Sequence, residues 1–164
     1  MSEFNHEPVL LRECIEMLSI KSDGVYIDGT LGGAGHSSYI LQHLGENGIL
    51  IGLDQDEDAI KVAAERLQQI KDAGKSKAEY IIVKTNFEKM SETASCILER
   101  RGRKPKADGI LLDIGVSSYQ FDEPERGFSY RYDASLDMRM NRENPLTAEM
   151  VINEYLSLIH ISEP

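Results

Sequence analysis

The chain has 164 residues, 41% of them hydrophobic and 28% charged, with a formal net charge of −10 at pH 7. That length supports one domain with its own core, and the composition is that of an ordinary soluble protein. The acidic balance argues against strong non-specific binding to a phosphate backbone, and no apolar run approaches the ~18 residues of a membrane span.

Glu3, His6 and Glu7 open the chain without the basic-then-apolar pattern of an export signal. Apolar residues at 10, 11, 14, 15, 17 and 18 predict an amphipathic helix between Pro8 and Leu18. Cys14 and Cys96 lack metal-ligand spacing and read as reduced thiols of a cytoplasmic protein. Asp23-Gly24 then turns the chain into a short buried strand, Val25 to Asp28.

Four glycines follow within seven residues in Gly29-Thr30-Leu31-Gly32-Gly33-Ala34-Gly35, and a helical pattern resumes with Ser37 as its expected N-cap. A strand, a tight glycine loop and a helix start together form a nucleotide-type pocket. The spacing departs from the dinucleotide fingerprint, because Ser38 stands where the third glycine belongs. Asp28, just before the glycines, would repel a pyrophosphate and suits a ligand with a positive end, such as S-adenosylmethionine. A glycine-rich turn with no ligand is the alternative for this stretch alone.

The helix after the loop should bury Ile40, Leu41 and Leu44 before Gly45 to Gly48 break it. Ile49 to Asp54 reads as a second buried strand ending in an acid. Asp56, Glu57 and Asp58 favour a helix start through the macrodipole, and Ile60, Ala63, Ala64, Leu67 and Ile70 form its apolar stripe. Tyr80 to Val83 is a third strand with Phe87 just past its end, followed by a helix from Met90 to Arg101. Arg100 to Lys106 is the only basic run, for which a solvated loop is the plain reading. Gly109 to Asp113 is a fourth strand ending in an acid. Strands alternating with helices predict an α/β fold with a parallel sheet covered on both faces, in the order 3-2-1-4.

From Gly115 to Asn144 the periodicity disappears, and the stretch is rich in arginine and aromatics. A loop of that length in a compact domain is functional or disordered, and this composition favours function. A last helix is expected from Thr147, as N-cap, to about Leu156.

In a doubly wound sheet the strand C-termini face one crevice, where ligands bind. Asp28, Asp54 and Asp113 are expected there. Asp54 would take ribose hydroxyls and Phe87 would pack on adenine. Ala34, Gly35 and His36 would offer backbone and imidazole to the methionine end, although His36 alone reads equally well as a polar residue of a helix start. Asp113 would contact the cofactor or accept a hydrogen bond from a substrate amine, as the candidate catalytic residue. No His/Cys/Asp cluster has ligand spacing, so no metal is expected.

Asp28 to Ser37, Gly109 to Ser118 with its Gly-Val-Ser-Ser block, Gln120, Glu125-Arg126-Gly127-Phe128-Ser129 and Leu136-Asp137-Met138-Arg139-Met140 occur together and in order. With them the chain closely resembles the bacterial small-subunit ribosomal RNA cytosine-N4 methyltransferases, the MraW-like (RsmH) family, from His6 to about Tyr155. The resemblance implies a Rossmann-like methyltransferase fold, S-adenosyl-L-methionine as donor, and a cytidine N4 in the decoding region of 16S rRNA as acceptor. The partner would be the small ribosomal subunit in the cytoplasm, with no DNA and no membrane.

Family cofactor contacts carry over onto Ala34, Gly35, His36, Asp54, Phe87, Asp113 and Gln120, the last visible only through the resemblance. RNA contacts are expected at Arg126, Tyr130 and Arg139. Many amino-methyltransferases carry an (Asp/Asn)-Pro-Pro-aromatic motif after the fourth strand; here Ile114-Gly115-Val116 follows Asp113, so that catalytic assignment does not transfer.

Family members are about twice as long. The expected organisation is a partial cofactor domain over 1–144 including a substrate loop at 115–144, the start of a helical insertion at 145–156, and a non-native tail at 157–164. Two other functions stay open: a fragment that at most binds cofactor, and a small-molecule methyltransferase on the same fold.

Overall fold

Val25–Asp28 (β1) and Ile49–Asp54 (β2) are apolar on both faces, as strands covered by helices from either side must be. The computed structural model, which describes residues 8–155, pairs them in parallel at the centre of a four-stranded sheet. Glu79–Lys84 (β3) lies beside β2 and Gly109–Leu111 (β4) beside β1, both parallel. The order is therefore β3-β2-β1-β4, as the alternating pattern predicts.

Leu11–Leu18 (α1), Gly35–His43 (α2) and Glu57–Asp72 (α3) cover one face, and Met90–Arg100 (α4) covers the other. Tyr26 and Leu50 point to the first layer, where Ile40 and Leu41 of α2 and Leu67 of α3 are buried. Ile27, Ile51 and Leu53 point to the second, against Ala94 and Leu98. Each such aliphatic side chain, fully buried, contributes about 1.5–3 kcal/mol.

Four boundaries differ from the sequence reading. The first helix begins at Leu11, because Leu10 takes a left-handed conformation (φ 52°). Ser37 is not an N-cap: Ala34 occupies that position with φ 59°, and Ser37 lies inside α2. The fourth strand ends at Leu111, so Asp113 sits two residues beyond it. A 3-10 turn, Phe87–Lys89, precedes α4, which ends at Arg100.

Packing divides the chain after Ile114. The second unit, from Gly115, is aperiodic in sequence but tied together in detail. It contains Ser118–Asp122 (α5), a 3-10 turn Pro124–Arg126, and Ala148–Glu154 (α6), whose Thr147 N-cap accepts from the Met150 amide at 3.2 Å. The Arg126 guanidinium is buried and donates to the carbonyls of Arg139 and Met140 at 3.1 and 3.2 Å. Asp137 pairs with Arg139 at 2.7 Å, and its carbonyl accepts from Ala148 N–H at 2.9 Å. Gly127 (φ 70°) has no room for a Cβ, which would run into Ser135 O and Asp137 N. The expected tail at 157–164 lies outside the described residues.

Candidate cofactor site

The glycine loop hangs between the ends of β1 and β2. Leu31 N–H donates to Leu53 O at 3.0 Å and Gly29 N–H to Leu111 O at 3.0 Å, extending the sheet's bonding past β1. The Asp54 carboxylate then holds the loop from the side: Oδ2 accepts from Gly32 N–H at 2.7 Å and Oδ1 from Asp56 N–H at 2.9 Å. Burial pushes the Asp54 carboxyl up, against the pull of these amides. The Gln55 amide also bonds this carboxylate; with about four lone-pair sites on a carboxylate, some acceptor capacity remains beyond these three bonds.

The Asp28 carboxylate is turned inward, onto the chain itself. It is 1% exposed, with Oδ2 accepting from Ser37 Oγ at 2.7 Å and Oδ1 from Thr30 N–H at 3.1 Å. Burial raises its pKa, with Ser37 and Thr30 opposing. The Thr30 hydroxyl in turn accepts from the Asp113 amide at 2.7 Å. One buried acid thus fixes the first turn of α2 and the glycine loop, and through Thr30 the main chain at Asp113. The Asp113 side chain itself is exposed.

Ala34 is fully buried, so it can offer a ligand only its backbone. Gly35 to Ser37 precede the first intrahelical bond, from Ser38 N–H to Ala34 O at 2.9 Å, and carry the unsatisfied amides of a helix start. The chain N-terminal to α1 covers this point. A Cβ on Gly35 would lie 2.5 Å from Pro8 Cγ, and His36 Nε2 lies 3.1 Å from the Val9 carbonyl. With Nε2 protonated it donates to that oxygen, and Nδ1 is the nitrogen left for other use. Phe87 is 38% exposed and packs near Gly29, where an added Cβ would lie 3.3 Å from Phe87 Cβ and 2.5 Å from Leu112 Cδ2.

The sequence-derived cofactor residues Ala34, Gly35, His36, Asp54, Phe87 and Asp113 therefore collect at the C-terminal edge of one sheet. Gln120 belongs to the second unit, where its side chain completes a capping box: Oε1 accepts from Ser117 N–H at 3.0 Å and Ser117 Oγ from Gln120 N–H at 3.2 Å. Of the three residues expected on RNA, Tyr130 stands fully in solvent, whereas Arg126 is 2% exposed and Arg139 is held by Asp137. Sequence reasoning missed the structural role of Asp28, the part of Thr30 and the cover provided by Pro8. Among the described residues no group of His, Cys, Asp and Glu could hold a metal ion.

Strand order, the glycine loop after β1 and the acid ending β2 define the Rossmann-like fold of the S-adenosylmethionine-dependent methyltransferases, here its first four strands. The family model described as the MraW methylase family matches residues 3–161, and the chain belongs to that family. A relative from Acetivibrio thermocellus called ribosomal RNA small subunit methyltransferase H is 57% identical over 153 residues, 93% of this chain and 46% of its own length. Proteins of that name from Ruminiclostridium cellulolyticum and Finegoldia magna are 51% and 50% identical, over 93% of this chain and 46% and 45% of theirs. The chain thus spans about half the length of these curated relatives. Among solved structures, a protein-L-isoaspartate O-methyltransferase aligns over 79% of this chain and 34% of its own at 12% identity, with a TM-score of 0.47.

Proposed function

We propose that this chain is the cofactor-holding half of an S-adenosylmethionine-dependent methyltransferase that modifies the exocyclic N4 of a cytidine in the decoding region of 16S rRNA. The observation that carries the reading is the glycine loop braced by Asp54 on one side and by the Asp28–Thr30–Asp113 chain of bonds on the other. Membership of the MraW methylase family supports it.

The residues present fit the cofactor. The amides of Gly35 and His36 would meet its carboxylate as a helix start meets an anion, Ala34 would offer main chain, Asp54 would accept from the ribose hydroxyls, and the exposed face of Phe87 would pack on the adenine. Gln120 is a further cofactor contact on the strength of the family resemblance alone. S-adenosylmethionine supplies a methyl group on a sulfonium, ready for displacement. The amino group of cytosine is a weak nucleophile because its lone pair is delocalised into the ring. Asp113 would accept from its N–H and orient it, which is how position supplies rate. Tyr130 would stack on an unpaired base, while Arg126 and Arg139 order the segment that carries it. The enzyme would work in the cytoplasm on the small subunit; no described helix is long and apolar enough to cross a membrane.

Labelled methyl transfer by the full-length Acetivibrio relative, with small ribosomal subunits or free cytidine as acceptor, tests the reading. Methylation confined to the subunit supports it. Methylation of the nucleoside alone would favour a small-molecule enzyme, the rival that the −10 charge suggests.

A further inference from the structure

The basic run at 100–106 is not a loose loop. Arg101 Nε donates to Glu79 Oε1 at 2.9 Å, at the start of β3. Arg103 donates to Asn47 O at 3.0 Å and Asp23 O at 2.9 Å, just before β2 and β1. Asp108 closes the segment, accepting from Val25 N–H at 3.0 Å and pairing with Lys21 at 2.8 Å. The segment is therefore a strap drawn beneath the N-terminal ends of the strands. Between its anchors the Lys106 amide donates to Lys104 O at 2.8 Å around Pro105, and Lys104 and Lys106 are exposed. The turn before β3 adds exposed Lys75 and Lys77 at the same end of the parallel sheet.

Setting aside the Lys21–Asp108 and Arg101–Glu79 pairs, the loops at this end carry Lys75, Lys77, Arg103, Lys104 and Lys106 against Asp23 and Glu46. With the Lys84–Glu57 and Lys61–Asp58 pairs likewise set aside, the opposite end carries Asp28, Asp54, Asp56, Glu88 and Asp113 against Lys89. A chain of net charge −10 has thus gathered fixed positive charge at one pole, about 20 Å from the cofactor edge for a six-residue strand. Lysines serving helix C-termini would sit within the last turn; Lys104 and Lys106 lie past the end of α4.

We propose that this pole is a second RNA-binding surface, where the strap's lysines contact backbone phosphates of the substrate's ribosomal RNA away from the modified base. The inference rests on the rRNA reading. Phosphate contact by exposed lysines is sequence-independent, salt-sensitive and released with counterions, and a pre-formed turn holds the two charges at little ordering cost.

The test is fluorescence anisotropy of the 164-residue chain with a labelled small-subunit rRNA fragment, titrated between 50 and 200 mM salt. Lys104→Gln with Lys106→Gln should weaken binding several-fold at the lower salt. It should also flatten the log Kd–log salt slope by about 0.7–0.9 per lysine lost. Lys104→Arg with Lys106→Arg should retain both, and titration with S-adenosylmethionine should be unchanged throughout. Unchanged affinity and slope in the glutamine variant overturns this surface alone, as does equal loss in the arginine variant. No binding of the unsubstituted chain to the rRNA fragment would contradict the surface and the rRNA reading together.

Discussion

Asp28 shows how one buried residue can brace the glycine loop and the first turn of α2 at once. Its burial raises the carboxyl pKa, so the folded chain holds that proton more tightly than the unfolded one. The resulting contribution to stability is full below the usual carboxylate range and is lost as pH rises through the folded value. Asp28→Asn removes this loss. Urea unfolding across pH 4–7 should show a smaller decline, or a steeper gain, toward neutrality in the variant; parallel profiles would contradict the assignment. Gly29→Ala would press a Cβ to 2.5 Å from Leu112 Cδ2. Leu112 is 43% exposed and its end can turn aside, so the change should cost no more than about 1 kcal/mol in the same experiment. Arg126→Ala would strip the carbonyls of Arg139 and Met140 of a buried donor. The second unit should lose about 1–3 kcal/mol, seen as faster amide exchange between 126 and 148.

The elements were legible where burial sets the pattern. β1 and β2 read as apolar runs because both faces are covered, and α3 read from its stripe and the acids Asp56, Glu57 and Asp58 at its start; Asp56 is the cap, accepting from Asp58 N–H at 3.1 Å. The boundary at α2 was not legible. Ser37 is a good capping residue by type, but Asp28 takes its hydroxyl and the helix starts earlier, from an alanine in a left-handed conformation that only packing can hold. The segment after Gly115 lacks periodicity because polar bonds order it in place of a continuous apolar face. Its local signals are caps: Thr147 before α6, and the capping box of Ser117 and Gln120 at α5. Ser117→Ala should cost about 1 kcal/mol and raise exchange in α5 with little change in the sheet. That Ala34, Gly35, His36, Asp54, Phe87 and Asp113 gather at one sheet edge was legible because strand ends in a parallel sheet converge; the burial of Arg126 was not, since nothing in a sequence separates a buried arginine from an exposed one.

Across the whole molecule, charge and pairing are both unevenly spent. The acidic total concealed a basic pole, because composition averages over ends that the topology separates. Among the described residues β4 pairs on one side only, and Ile110 and Leu112 are 50% and 43% exposed. An exposed apolar edge is a template for association. The chain should self-associate as its concentration rises, and Ile110→Lys should reduce this in sedimentation velocity. The central claim is that the Asp54-braced loop holds S-adenosylmethionine. Calorimetric titration of this chain and of Asp54→Ala measures it most directly. Micromolar-range binding, about −8 kcal/mol, weakened at least tenfold in the variant, is the expected result. A cooperatively folded chain that takes up no cofactor, or one that binds equally well without the Asp54 carboxylate, would contradict it.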